Sequence, residues 1–152
     1  MPLKGPRGAE LLQGESFILY PSTVTTAVVG ATGTAVVFRG ERRRFIVLLD
    51  ITNKDTEVDD TLDVYIDCLV DGTTWVNAVH FTQALGTGAA AKEVAILDAT
   101  NPGATVLAVT TDAASGVVRP GVFGSQMRAR WTVVDPGAGA ASFTFAVTGY
   151  AL

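Results

Sequence analysis

The residues able to do chemistry gather in two stretches: VDGTTWVNAVHFTQALGTG, residues 70–88, and DITNKDTEVDDTLD, residues 50–63. The first holds His80, the single histidine, with Trp75 and Asn77 close by. A catalytic histidine needs a nucleophile within reach and donors for an oxyanion. No G-x-S-x-G elbow occurs, and Cys68 is the one thiol. Asp71-Gly72 fits a two-residue type I′ hairpin turn. That turn would place Asp63 opposite His80, Cys68 opposite Trp75 and Val64 opposite Val79. His80 is then expected in a surface ion pair with Asp63 on the less buried face, with Cys68 on the other. Trp75 is expected to pack on the apolar face with Cys68 and Val79. The other use for Trp75, with an Asn and an Asp nearby, is a sugar-stacking platform.

The second stretch offers Asp50, Asp55, Glu57, Asp59 and Asp60, hard oxygen ligands of the type Ca²⁺ accepts. It lacks the Gly and distal Glu spacing of an EF-hand loop, so a solvated connection between strands is expected. The carboxylates are too many to nominate a glycosidase pair. No metal site, no cofactor and no enzymatic activity is expected. The basic run RGERRR, residues 39–44, is too small for a nucleic-acid footprint. Charge is nevertheless polarised: residues 1–44 carry net +3 and residues 45–71 net −7. Such polarity suits contacts between copies of one chain, and scattered surface charge is the plainer reading.

The elements that must position these residues read as strands nearly throughout. Short β-branched or aromatic segments recur between Gly, Pro and Asp turns, the all-β pattern. Strands are expected near 17–25, 34–39, 44–53, 62–70, 73–83, 92–99, 105–111, 127–135 and 141–150, with no convincing helical period. In the last two, Met127, Ala129, Trp131 and Val133 face away from Arg128 and Arg130, and Phe143, Phe145 and Val147 face away from Thr144 and Thr148. One face is core and one is wet, as an antiparallel sheet allows. Phe45–Ile51 is apolar on both faces, so it is either central or covered by another subunit. Asn101-Pro102-Gly103 and Pro136-Gly137 read as type II turns. Tight turns between many short strands imply two packed sheets: an all-β, single-domain, jelly-roll-like sandwich over residues 17–152.

The 152 residues suit one domain, and a domain this size needs no disulfide or metal to fold. Hydrophobic residues are 48% and charged residues 17%, which excludes a disordered polyelectrolyte. A net charge of −4 gives no general attraction to nucleic acid or anionic lipid. The longest apolar run, Phe45–Leu49, cannot span a bilayer. Lys4 and Arg7 precede no apolar stretch, so no secretory signal is expected.

Two segments lack periodicity. MPLKGPRGAELLQGES, residues 1–16, is either a frayed terminus or an extended N-terminal arm anchored through Leu11 and Leu12. TDAASGVVRPGVFGSQ, residues 111–126, is a long loop of the kind that often carries function. Its Val122 and Phe123 either tuck into the sandwich end or meet a partner.

The succession Gly40…Arg44-Phe45-Ile46-Val47-Leu48-Leu49-Asp50, Leu62-Asp63-Val64-Tyr65-Ile66-Asp67, Asp71-Gly72-Thr73-Thr74-Trp75 and Phe81-Thr82-Gln83 resembles a β domain of tailed-bacteriophage virion proteins. Met127-Arg128-Ala129-Arg130-Trp131-Thr132 and Ser142-Phe143-Thr144-Phe145 fit the same domain, so the likeness covers roughly residues 35–150. Within that group the chain resembles head decoration (auxiliary capsid) proteins of thermophilic siphoviruses. The resemblance implies a homotrimer on the outer capsid surface, bound to the major capsid protein and assembled in the host cytoplasm. It implies no partner among nucleic acids or membranes. Contacts are expected from Leu11, Leu12, Phe17 and Tyr20 in the arm region, and from Arg42, Arg43, Arg119 and Phe123 in the domain. A carbohydrate- or receptor-binding tail module is the alternative, and it needs an exposed aromatic platform.

Overall fold

The computed structural model describes residues 14–101, 103, 106–137 and 139–152. Eleven strands run along them: β1 Glu15–Thr26, β2 Val28–Thr32, β3 Val36–Val37, β4 Arg44–Asn53, β5 Thr61–Leu69, β6 Trp75–His80, β7 Ala84–Leu85, β8 Ala91–Asp98, β9 Val117–Val118, β10 Gln126–Val134 and β11 Ser142–Ala151. They form two antiparallel sheets. The first has the order β1-β11-β4-β8; the second has β2-β10-β5-β6-β9, with β3 on β10 and β7 on β5. The sheets pack face to face, so the all-β, jelly-roll-like sandwich is the observed architecture.

Alternation decides which side chains meet between the sheets, because successive strand residues point to opposite faces. Phe45, Val47, Leu49 and Ile51 of β4 and Phe143, Phe145 and Val147 of β11 point inward from the first sheet. Leu62, Val64, Ile66 and Cys68 of β5 and Met127, Ala129, Trp131 and Val133 of β10 meet them from the second. Tyr20 lies 4.1 Å from Trp131 and 4.9 Å from Phe145 by ring centroids, joining the layers at one end. Phe17, Phe38, Phe45 and Phe123 form a second aromatic group.

β4 is an inner strand, between β11 and β8, which accounts for its long apolar run. One expected strand is missing. Residues 106–111 form no strand, despite Val106, Leu107 and Val109. β-propensity reflects packing on a pleated surface, and no ladder among the described residues offers this segment a partner. β2, a short and largely exposed edge strand, was not anticipated.

The β5–β6 hairpin differs from the expected register. Its loop has three residues: Val70 N–H donates to Thr74 O at 3.0 Å, and Leu69, Cys68 and Asp67 pair with Trp75, Val76 and Asn77. The Asp71 carboxylate takes the N–H groups of Thr73 and Thr74, so Thr73 joins the loop. A type I′ turn is excluded, since only Gly72 takes positive φ there, at 83°. A one-residue change of register exchanges faces. Trp75 accordingly lies opposite Leu69 on the outer face rather than with Cys68. A bulge at Ala78 then restores the phase, so Ile66 pairs with Val79 and Tyr65 with His80. The two departures cancel, and His80 reaches the outer face as expected.

Candidate interaction surfaces

On the outer face of the second sheet, β5, β6 and β10 carry alternating charged and aromatic residues. The Arg128 guanidinium lies over the Trp75 ring at 4.1 Å, and Arg130 over Tyr65 at 4.1 Å. Arg130 donates to Asp67 through Nε at 3.0 Å and to Asp112 through Nη2 at 2.6 Å. The Tyr65 ring stacks on His80 with centroids 4.2 Å apart. His80 Nε2 is 2.8 Å from Asp63 Oδ1 and Nδ1 is 2.9 Å from Ala113 O. Gln83 Nε2 donates to Asp63 Oδ2 at 2.8 Å.

The loop 111–119 lies across this face, making the expected surface pair a buried one; His80 and Asp63 are each only 9% exposed. Asn77 anchors the loop. Its Oδ1 accepts Ala113 N–H at 2.8 Å, and its Nδ2 donates to Val79 O at 2.9 Å, closing the bulge. Both ring nitrogens of His80 are thus engaged by acceptors, neither from a hydroxyl or thiol. Cys68 is on the opposite face in the core, where burial, then the charge of Asp67, pushes its thiol up to about 12. Neither group is arranged as a nucleophile–base pair. Trp131 is buried, and Arg128 occupies one face of Trp75, so the two tryptophans form no open aromatic platform.

The outer face of the first sheet has a different character. Its rows run Ile18–Thr148–Leu48–Val94 and Ser16–Tyr150–Ile46–Ile96 across four strands. Ile18, Val94 and Ile96 are 61%, 59% and 49% exposed, while Ile46 and Leu48 between them are half-buried. Ion pairs border this apolar band on β4 and β8: Arg44–Asp98 at 2.8 Å on one side and Lys92–Asp50 at 3.1 Å on the other. An apolar centre with a charged rim is the anatomy of a protein interface, and contiguous exposed apolar surface marks interaction sites. The double apolarity of Phe45–Ile51 was the available sequence signal. The contributions of β1, β8 and β11 depend on pairings between distant segments.

The residues expected to make contacts are distributed elsewhere. Phe17 is buried between Phe38 and Phe45, and Tyr20 packs on Trp131, so both serve the core. Leu11 and Leu12 lie outside the described residues, as does most of the expected arm; Glu15 and Ser16 begin β1. Arg42 pairs with Glu15 at 2.8 Å. Arg43 is exposed, 3.9 Å from Glu41. Arg119 donates to Thr111 O and Asn77 O, holding the loop on β6. Phe123 tucks into the sandwich end, 5.1 Å from Phe45.

No family model and no curated protein matches this chain. Among solved structures, a chain in the structure of infectious bursal disease virus Gx strain is similar in fold, with a TM-score of 0.55 at 8% identity. The likeness covers 91% of this chain and 31% of that one, so the chain spans about a third of the matched length.

Proposed function

We propose that this chain is a non-enzymatic structural protein of a virion, a decoration subunit that binds the outside of a phage capsid as a homotrimer. It stabilises the shell by joining neighbouring subunits through non-covalent contacts. The observation that carries the reading is the apolar band of Ile18, Ile46, Leu48, Val94, Ile96 and Tyr150 with its charged border. Burying such a surface against a second protein removes apolar area from water, at about 25 cal/mol per Å² before the costs of association. A ligand that binds only the assembled shell stabilises it by mass action. Two further observations support the reading. The fold is similar to part of a chain in a virus structure, and the chain's charge is polarised along its length. The trimer and the capsid partner rest on the resemblance to decoration proteins.

The test uses the full chain and undecorated capsids. Wild type is expected to elute as a trimer by size exclusion with light scattering and to co-sediment with capsids. The double variant Val94→Lys/Ile96→Lys is expected to keep its β-sheet circular dichroism but lose both properties. A monomeric wild type that ignores capsids would overturn the proposal, as would a variant that still binds them.

A further inference from the structure

Three connections cross between the sheets at one end of the sandwich: residues 54–60 from β4 to β5, 86–90 from β7 to β8, and 135–141 from β10 to β11. Backbone hydrogen bonds tie the first two together, from Gly86 N to Asp60 O at 2.7 Å and from Thr87 N to Asp55 O at 2.6 Å. The third is tied to the first through Asp55, whose Oδ2 accepts Ser142 N–H at 2.6 Å. Asp135 accepts the N–H groups of Gly137 and Ala141 and so shapes its own loop. Gly137 does not take the positive φ of the expected type II turn. This glycine instead leaves room for Glu57: a Cβ there would lie 2.6 Å from Glu57 Oε2 and would displace the carboxylate. Gly139 meets the other oxygen of Glu57 in the same way. The Glu57 carboxylate is therefore seated against the 135–141 loop.

Asp60 stands at the centre of this arrangement. It is fully buried, and no N–H or O–H group among the described residues donates to either of its carboxylate oxygens. Oxygens of Glu57, Asp60 and Asp135 lie within 4.8 Å of one another. None of the ion pairs among the described residues involves Asp55, Glu57, Asp59, Asp60 or Asp135. A buried carboxylate without a partner is strongly disfavoured, and buried charges are normally paired or coordinate metals. Burial, followed by the negative charges of Asp135, Asp55, Glu57 and Asp59, pushes the Asp60 carboxyl up to about 6. Lys54, the cation of the first connection, makes no ion pair with any of these carboxylates.

The geometry points to a Ca²⁺ site in which Asp60 is the buried ligand and Glu57 and Asp135 close on the ion from two separate loops. Oxygens bound to one Ca²⁺ at about 2.3–2.6 Å are no more than about 5 Å apart, which matches the observed clustering. All donors are hard oxygens, which select a hard cation. Ca²⁺ takes six to eight oxygens in adaptable geometry, whereas Mg²⁺ demands a near-ideal octahedron and keeps much of its water. Carboxylates delivered by independent loops suit the former. The bound ion would fasten two connections that each join one sheet to the other, stapling this end of the sandwich. The inference stands apart from the capsid proposal, since it concerns the isolated chain.

The experiment is calorimetric titration of the metal-free full chain with CaCl₂, together with thermal melting in CaCl₂, MgCl₂ and EDTA at neutral pH. One Ca²⁺ per chain is expected. At a hundredfold excess over Kd the melting temperature should rise by roughly 5–10 °C. Asp60→Asn should lose the calcium-dependent shift yet melt no lower than wild type in EDTA, because it removes an unpaired buried charge. Asp135→Asn, a less buried position, serves if Asp60→Asn does not fold, and should weaken binding by about tenfold or more. Asp59→Asn, exposed and outside the ligand group, should bind as wild type does. Identical melting in CaCl₂ and EDTA without binding heat would overturn the site. A shift retained in both ligand variants would also do so, and an equal response to MgCl₂ would overturn the calcium assignment.

Discussion

His80 and Asp63 form a buried pair, Nε2 to Oδ1 at 2.8 Å, although they are diagonal neighbours and the residue directly across from His80 is Tyr65. The pair is held from three sides, by the Tyr65 ring, by Gln83 and by the Ala113 carbonyl of the overlying loop. Its place under a loop makes it a fastening between β6 and residues 111–119.

Replacing His80 should therefore cost stability and loosen that loop. His80→Phe leaves Asp63 buried with Gln83 alone, and stranding a buried hydrogen-bond acceptor typically costs about 1–3 kcal/mol. Denaturant unfolding measures the loss. Hydrogen exchange should show faster exchange at Ala113 and Val117, and unchanged exchange there would refute the fastening role.

Asn77→Ala removes the side chain that closes the Ala78 bulge and accepts from Ala113. The stranded buried N–H should cost about 1–3 kcal/mol. The same exchange measurement should show protection lost from residues 111–119 before the β5–β10 ladder is affected. Simultaneous loss would mean that the loop and the sheet open as one unit.

Asp71 sets the hairpin loop, and the N–H of Thr73, then the hydroxyl and N–H of Thr74, hold its carboxyl well below the usual carboxylate range. A depressed folded-state pKa adds stability above the unfolded value, about 3.9, and that stability is lost as pH falls through the folded value. Asp71→Asn should consequently melt below wild type at pH 7, with the gap closing steadily from about pH 4 downward. Melting curves across that range test it; a gap independent of pH would assign the effect to shape rather than charge.

Arg128 shields Trp75. Arg128→Ala should increase quenching of tryptophan fluorescence by acrylamide, while the buried Trp131 contributes the inaccessible fraction in both proteins. Equal quenching would show that the stacked geometry is not kept in solution.

Deleting residues 1–13 leaves β1 intact from Glu15 onward, and the domain should fold with its core complete. If the segment acts as an arm, co-sedimentation with capsids should weaken. Undiminished binding would remove the arm from the proposal.

The sequence by itself determined the sandwich class and the faces of β10 and β11. Their alternation is local, and a period of two leaves one choice of which face to bury. It also made the acidic run visible, but not its partner Asp135, which follows β10 and was expected only as the last residue of a strand. Tertiary structure alone decided the rest. Whether Asp71 claims two or three residues for its loop, and whether Ala78 bulges, is set by side-chain hydrogen bonds and by an overlying loop some thirty-five residues away. The first adjustment chose the side of the sheet for Trp75, and the second returned His80 to the outer face. Asp60 is buried because three crossovers converge on one end of the sandwich, and the chain's local pattern holds no record of which crossovers will meet. The apolar band exists for the same reason: Ile18, Leu48 and Val94 become neighbours only when β1, β11, β4 and β8 pair in that order.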